Sequence, residues 1–302
     1  MRLEIRYVNR FVYPTPARES HNVLRACPAD DGTQRLLDFD LSIDPTARVL
    51  TYVDSWGTRV DAFGIRAPHE RLLVTAEAVV ETSARPAAPR GVAGRSDYAD
   101  PEIRLDLGQY LRRTGHTAWD SAIETFARDV CEGIDDATDA VAALDGAVRD
   151  AMTYTPGATE VGVDITNVWA TRQGVCQDFA HLAIAMYRSL GIPARYVSGY
   201  IYASDLSGGD LPDQAEVEIE THAWVEVLVP GFGWWGLDPT NPQDVGERHV
   251  KIGHGRDYDD VMPLRGVYHG PSEHTLSVGV QISREGLTRR ELDRMQQAQA
   301  QQ

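Results

Sequence analysis

The chain has 302 residues, 42% hydrophobic and 25% charged, which excludes a disordered polymer and fits one large domain or two modest ones. Its formal net charge of −16 argues against nucleic acid and anionic membranes as partners, because phosphate repels such a surface. No apolar run reaches membrane-span length, and the alternating start Met1-Arg2-Leu3-Glu4-Ile5-Arg6 lacks the apolar core of a signal peptide, so a cytoplasmic location is expected.

Residues 1–82 read as β. Leu3, Ile5 and Tyr7 alternate with polar neighbours, as do Leu37, Phe39, Leu41 and Ile43. Val49 to Val53 and Val60 to Ile65 flank Asp54-Ser55-Trp56-Gly57, a hairpin turn by composition, and Leu72 to Val80 adds a strand. Short strands joined by turns suggest a sandwich-like domain. From Ser83 to about residue 100, Pro, Ala and Gly displace any periodicity, which reads as an exposed linker. Residues 101–284 then form the second expected domain. Trp119, Ile123, Phe126 and Val130 recur at helical spacing, as do Val141, Leu144, Val148 and Met152. From Gly174 to Leu190, the residues Phe179, Leu182, Ala183, Met186, Tyr187 and Leu190 form one apolar helical face, which Gly191 and Pro193 terminate. Period-two strands follow over Arg195–Tyr202 and Glu218–Val229. The polar, Gln-rich stretch 285–302 reads as a frayed tail.

Three cysteines, Cys27, Cys131 and Cys176, are too few for a disulfide framework, and no C-x-x-C pair suggests zinc. Lys251 is the single lysine in an arginine-rich chain. Such a composition fits either adaptation to high salt or a GC-rich genome.

Cys176 falls in the first turn of the clearest helix. Free N–H groups there favour a thiolate over a thiol and point where an oxyanion would form. Gly174 before it permits a tight approach. In Glu220-Thr221-His222-Ala223-Trp224-Val225-Glu226-Val227, alternation puts His222, Trp224 and Glu226 on one face of a strand. The turn Pro230-Gly231-Phe232-Gly233 returns the chain to Asp238-Pro239. A turn starting at residue 230 places His222 and Asp238 nearly opposite each other on antiparallel strands, where a carboxylate fixes an imidazole's tautomer. Cys176 as nucleophile, His222 as base and Asp238 as its orienting group is therefore the candidate site.

Trp169, Gln173 and Tyr154 are candidate oxyanion or substrate-lining groups. Trp224 is a candidate wall beside His222, although packing is the commoner role of an aromatic ring. His181 is off the apolar stripe and reads as surface or as support behind the site. His249, His254, His269 and His274 lack metal-ligand spacing and read as loop polarity. Asp257, Asp259 and Asp260 form an acidic cluster of the sort that is usually solvated or paired.

Four separated motifs carry a resemblance to a family. They are Gly-Val-Cys-Gln-Asp-Phe-Ala at 174–180, Gly-Ile-Pro-Ala-Arg-Tyr-Val-Ser-Gly-Tyr at 191–200, His-Ala-Trp-Val-Glu-Val at 222–227, and Gly-Trp at 233–234 with Leu-Asp-Pro-Thr-Asn at 237–241. In order and flanking residues these resemble the microbial transglutaminase-like superfamily. The β-rich start resembles the N-terminal domain that often precedes its core, and Gly255–Val261 resembles a segment that often follows it. The resemblance implies an α+β, papain-like core in which a helix bearing Cys176 packs on an antiparallel sheet bearing His222 and Asp238. It implies thioester chemistry on an amide or peptide substrate, with no cofactor. Hydrolysis is the default expectation, with protein crosslinking or a non-catalytic scaffold as alternatives.

Overall fold

Leu3, Ile5 and Tyr7 share one face of a long first strand, β1 (Arg2–Leu24), and all three are buried. The computed structural model describes residues 1–159, 162–202, 217–219, 221–271 and 273–284; the expected tail at 285–302 lies outside them. β2 (Gln34–Asp44), β3 (Val49–Val53), β4 (Arg59–Ile65) and β5 (His69–Thr82) follow β1. The first half of β1 pairs with β5 and its second half with β4, all antiparallel. Asp54 closes the β3–β4 turn by accepting from the backbone N–H groups of Trp56 and Thr58, both at 3.0 Å.

The Pro/Ala-rich stretch after β5 contains no strand and ends in a 3₁₀ turn, Arg95–Ala99. The expectation that it is exposed fails at several residues. Ala88 and Tyr98 are buried in the helical core, Tyr98 Oη donates to the Leu228 carbonyl at 2.8 Å, and the Arg85 side chain lies 4.0 Å from Glu226. The stretch crosses from one sheet to the other, and small residues let it lie against the layers it crosses.

Next come α1 (Pro101–Asp106), α2 (Ser121–Val130), α3 (Ala137–Ala151), β6 (Thr153–Tyr154), α4 (Ile165–Thr171), β7 (Gln173–Gly174) and α5 (Cys176–Ser189). Asp120, Asp136 and Asp164 cap α2, α3 and α4 with their carboxylates, so part of the acidic composition is spent on helix starts. β8 (Ala194–Ile201), β9 (Val217–Ile219), β10 (His222–Val229), β11 (Gly233–Leu237), β12 (His249–Gly255), α6 (Tyr258–Val261), β13 (Leu264–His269) and β14 (Thr275–Arg284) complete the order.

A four-stranded antiparallel sheet, β11-β10-β8-β12, lies between the helices and the first sheet. One of its faces sends Ala194, Ala223, Val225, Val227 and Val229 into the core of α2–α5. The other sends Tyr200, Val250 and Ile252 into the core beneath Leu3, Ile5 and Tyr7. Both faces are covered, which is why β10 is buried along its whole length. Each fully buried Val or Leu contributes roughly 1.5–3 kcal/mol, and the layers are joined by these contacts rather than by the linker alone.

β13 and β14 fall inside the segment expected as the second domain, 101–284, yet they complete the first sheet. β14 runs antiparallel to β1 from Leu3↔Arg284 to Val12↔Thr275, and β13 pairs with the second half of β1. Alternating Leu276, Val278, Val280 and Ile282 are the signal for β14; Val280 and Ile282 are fully buried. The chain therefore leaves the first sheet, builds the helices and second sheet, and returns. Among the described residues, no helix is long and apolar enough to cross a membrane.

Candidate active site

The approach to α5 explains the wording of its motif. α4 ends at Arg172, which takes a left-handed conformation (φ 59°). The chain then runs through β7, where Gly174 lies opposite Tyr154 of β6. Asp178, in the first turn of α5, accepts from the Val175 backbone N–H at 2.8 Å and from the Thr159 hydroxyl at 2.5 Å. A Cβ on Gly174 would sit 2.7 Å from the Cβ of Asp178, so only glycine fits here. Cys176 is the first helical residue, in the turn whose N–H groups lie outside the helical ladder. It is part-exposed, whereas Cys27 and Cys131 are buried. Burial pushes the Cys27 thiol up to about 11 and raises that of Cys131.

His222 begins β10. Its Nε2 bonds Asp238 Oδ2 at 2.8 Å, and the Cys176 sulfur lies near enough to raise its pKa. The expected cross-strand placement needs correction. Val225 faces Leu237 and Val229 faces Gly233, so the turn is centred later than the sequence symmetry suggested. Asp238 follows the last residue of β11 and reaches His222 diagonally.

The Asp238 carboxylate is fully buried and surrounded by donors. Oδ1 accepts from the backbone N–H groups of Thr240 and Asn241 at 2.9 and 3.2 Å. Oδ2 also meets Asn241 Nδ2 at 2.9 Å and His249 Nε2 at 3.1 Å. Burial alone would raise its pKa, but the bonds to His222 and His249 outweigh it and hold the carboxyl well below its usual range. Burial likewise opposes charge on His222, yet Asp238 and the Cys176 sulfur reverse that and push its pKa up to about 10. The geometry favours an imidazolium lying between sulfur and carboxylate. Arg149 of α3 holds the Asp238 carbonyl at 3.0 Å and pairs with Asp145.

Trp224, the next residue on this face of β10, stacks beside His222 (centroids 6.0 Å apart) and meets His249 edge-on at 5.3 Å. Its six-membered ring lies over Gly199, where a Cβ would sit 2.4 Å from Trp224 Cη2 and 2.2 Å from the Val250 carbonyl. Beyond it, Glu226 receives Lys251 Nζ at 2.7 and 2.8 Å and Arg195 Nε at 2.7 Å. Burial would raise the Glu226 carboxyl, but these cations outweigh it and hold it well below the usual range.

The other candidates separate by place. Tyr154 is half-exposed with its ring 6.3 Å from Phe179, and Gln173 is exposed; both lie on the two-stranded β6–β7 lip just before Cys176. Trp169 is buried in the helical core against Phe126 and under the Arg172 guanidinium. His181 is not a surface group. It is buried, stacks on His116 at 4.8 Å and accepts from the Tyr258 backbone N–H at 3.3 Å. Burial, with His116 and Arg188 nearby, puts its pKa well below the ordinary value.

His249 was missed by the sequence reading. No local spacing signals it, because pairing of β12 with β8 brings it to Asp238. Nor is it loop polarity: it is 1% exposed.

His222, Asp238 and His249 bring ligand-type atoms within 4.8 Å of one another. Their bonding argues against a metal, however. His249 Nδ1 accepts from the Gly246 backbone N–H at 3.3 Å, so its Nε2 faces the carboxylate as an N–H donor rather than a lone pair. In the acidic cluster, Asp257 caps α6, Asp259 meets His116 at 3.3 Å and Asp260 is forked by Arg256.

With this geometry in hand, similarity to known proteins is specific. A family profile described as the transglutaminase-like superfamily matches residues 124–239, and one described as the bacterial transglutaminase-like N-terminal region matches residues 3–81. An uncharacterized protein of Mycobacterium leprae is 36% identical over 94% of this chain and 99% of its own length. An uncharacterized protein of Mycobacterium tuberculosis is 33% identical over 82% of each. A protein-glutamine gamma-glutamyltransferase of Pseudomonas aeruginosa is 38% identical over 95 residues, 30% of this chain and 13% of that protein. A crystal structure from Cytophaga hutchinsonii, described as a candidate cysteine protease, superposes with a TM-score of 0.72 at 22% identity, covering 95% and 92% of the two chains; it bears on the fold alone. Matched by two of the family's profiles and along nearly its whole length by a relative, the chain belongs to the transglutaminase-like superfamily, a family of cysteine-dependent enzymes.

Proposed function

We propose that the chain is a cysteine-dependent acyl-transfer enzyme that cleaves amide or peptide bonds through a thioester on Cys176. The observation that carries this reading is His222, a single imidazole bonded to a buried, donor-saturated carboxylate and set close enough to a part-exposed thiol to be raised in pKa by it. The Cys176 sulfur bonds to the carbonyl carbon of the substrate. The oxyanion is met by the Cys176 backbone N–H and its neighbours in the first turn of α5. His222 passes its proton to the leaving nitrogen as the C–N bond breaks, with Asp238 supporting the charge. Water then adds to the thioester carbon, giving its proton to His222, and the C–S bond breaks to regenerate the pair. A protein or peptide is the proposed substrate.

Hydrolysis is the preferred outcome because the half-exposed Tyr154 and the exposed Gln173 leave the lip beside Cys176 open to water. The glutamyltransferase named for the Pseudomonas relative favours a second reading, transfer to a primary amine. The only lysine of this chain is buried against Glu226, so the chain offers no surface lysine for crosslinking to itself. The test incubates the protein with a glutamine-containing peptide, with and without a fluorescent primary amine. Release of ammonia or of a cleaved peptide without amine incorporation fits hydrolysis; incorporation supports the second reading. Absence of any acyl-enzyme on Cys176 across a peptide library would leave only a scaffold role.

A further inference from the structure

His249 binds the same carboxylate oxygen as His222, from a different strand. It is 1% exposed and starts β12, whose pairing with β8 holds it in place. The Gly246 backbone N–H, 3.3 Å from Nδ1, fixes which nitrogen carries the proton, and Nε2 lies 3.1 Å from Asp238 Oδ2. Trp224 lies against both imidazoles, over Gly199 of the strand between theirs. We propose that His249 is a positioning residue of the site: a neutral imidazole that gives Asp238 Oδ2 an additional hydrogen bond, fixes the carboxylate toward His222, and limits how strongly that carboxylate attracts the His222 proton. This rests on the reading of Cys176 and His222 given above.

The physical reason is charge sharing. Each hydrogen bond to an ionised carboxylate disperses its charge and lowers its affinity for a further proton. With His249 in place, Asp238 supports an imidazolium on His222 without becoming so basic that the proton is slow to leave for the substrate nitrogen. Burial keeps His249 itself neutral, lowering its pKa against the raising effect of Asp238. Among the described residues, the further charged groups that act on this cluster include Arg149 and Asp145 from α3 and Arg85 from the linker. None of them donates to Oδ2. Asn241 Nδ2 does, so the carboxylate is not left bare when His249 is replaced.

The test follows alkylation of Cys176 by iodoacetamide against pH, a readout that needs no substrate, in wild type, His249→Met, His249→Gln and His222→Ala. His249→Met removes the donor. The alkaline limb set by the His222 proton should then move upward by roughly 0.5–1 pH unit, the share of one hydrogen bond to a carboxylate. His249→Gln retains an amide donor and should restore a limb close to wild type. An unchanged limb in His249→Met, with His222→Ala still slowing alkylation, overturns the role of His249 and leaves the proposed function standing. No effect of His222→Ala overturns both. Long-range ¹H–¹⁵N spectra of the native protein give a check that no folding defect can obscure. His249 should be a neutral Nε2–H tautomer from pH 6 to 8, and an Nδ1–H tautomer or a charged ring overturns the proposal.

Discussion

One face of β10 presents two buried charged clusters on either side of Trp224, and they are built to opposite purposes. At the His222 end, the carboxylate of Asp238 is met by two imidazoles, a side-chain amide and two backbone N–H groups. At the Glu226 end, the carboxylate is met by an ammonium and a guanidinium. The second cluster ties the neighbouring strands β8, β10 and β12 together through ion pairs, whereas imidazole can gain and lose a proton near neutral pH. The same strand face thus holds a set of groups suited to proton transfer and a set that joins strands, and the choice of partner makes the difference.

The largest expected effect separates the two ends by activity. Cys176→Ala should abolish turnover of any amide substrate while leaving the melting temperature near wild type, because a part-exposed residue leaves little cavity. Asp238→Asn should lower kcat by about 10²–10⁴-fold, since the group orients rather than bonds to substrate. Steady-state kinetics with a peptide amide measures both. Glu226→Ala should behave in the reverse way. It strands Lys251 and Arg195 without their buried partner and should cost about 3–5 kcal/mol in denaturant unfolding. Glu226→Ala together with Lys251→Met should recover part of that loss. If the double variant is no more stable than the single one, the ion pair is not what holds this end.

Acid and alkaline stability sharpen the contrast further. His181 has a pKa well below its unfolded value of 6.5 because it is buried. Its contribution is present above pH 6.5 and is lost as the pH falls, by up to ~1.4 kcal/mol per pH unit. His222 has the opposite sign. Its pKa is raised from 6.5 to about 10, so its contribution is present below pH 6.5 and fades as the pH rises through about 10. Stability should therefore decline on both sides of neutrality. His222→Gln should flatten the alkaline side, and His181→Gln, which keeps an acceptor for the Tyr258 N–H, should flatten part of the acid side. Unfolding free energies from pH 5 to 10 provide the check.

Much of this was legible in the sequence where physics acts locally. The apolar face of α5, its start at Cys176 and the alternation of β10 all follow from neighbours within a few residues. The hairpin between β10 and β11 was legible but its register was not, because the turn residues fix only its approximate centre, and Asp238 reaches His222 from beyond the strand end. Three features depended on distant pairing. β14 alternates as plainly as β1, but nothing near it says that β1 is its partner. His181 sits off the apolar stripe of α5, and packing of α6, of Tyr196 from β8 and of the 3₁₀ turn at Gly115–Thr117 on that side buries it. His249 has no motif of its own and acquires its partner only when β12 pairs with β8.

The central claim is that one thiol of the three is set apart by its place at the start of α5 and by His222. Peptide mass spectrometry after brief iodoacetamide treatment at pH 7 reads the alkylation rate of each cysteine in the native protein. Cys176 should be modified at least ~10²-fold faster than Cys27 or Cys131, whose thiols are buried and raised in pKa, and His222→Ala should remove most of that advantage. Equal rates at the three cysteines, or a Cys176 rate indifferent to His222, would contradict the account.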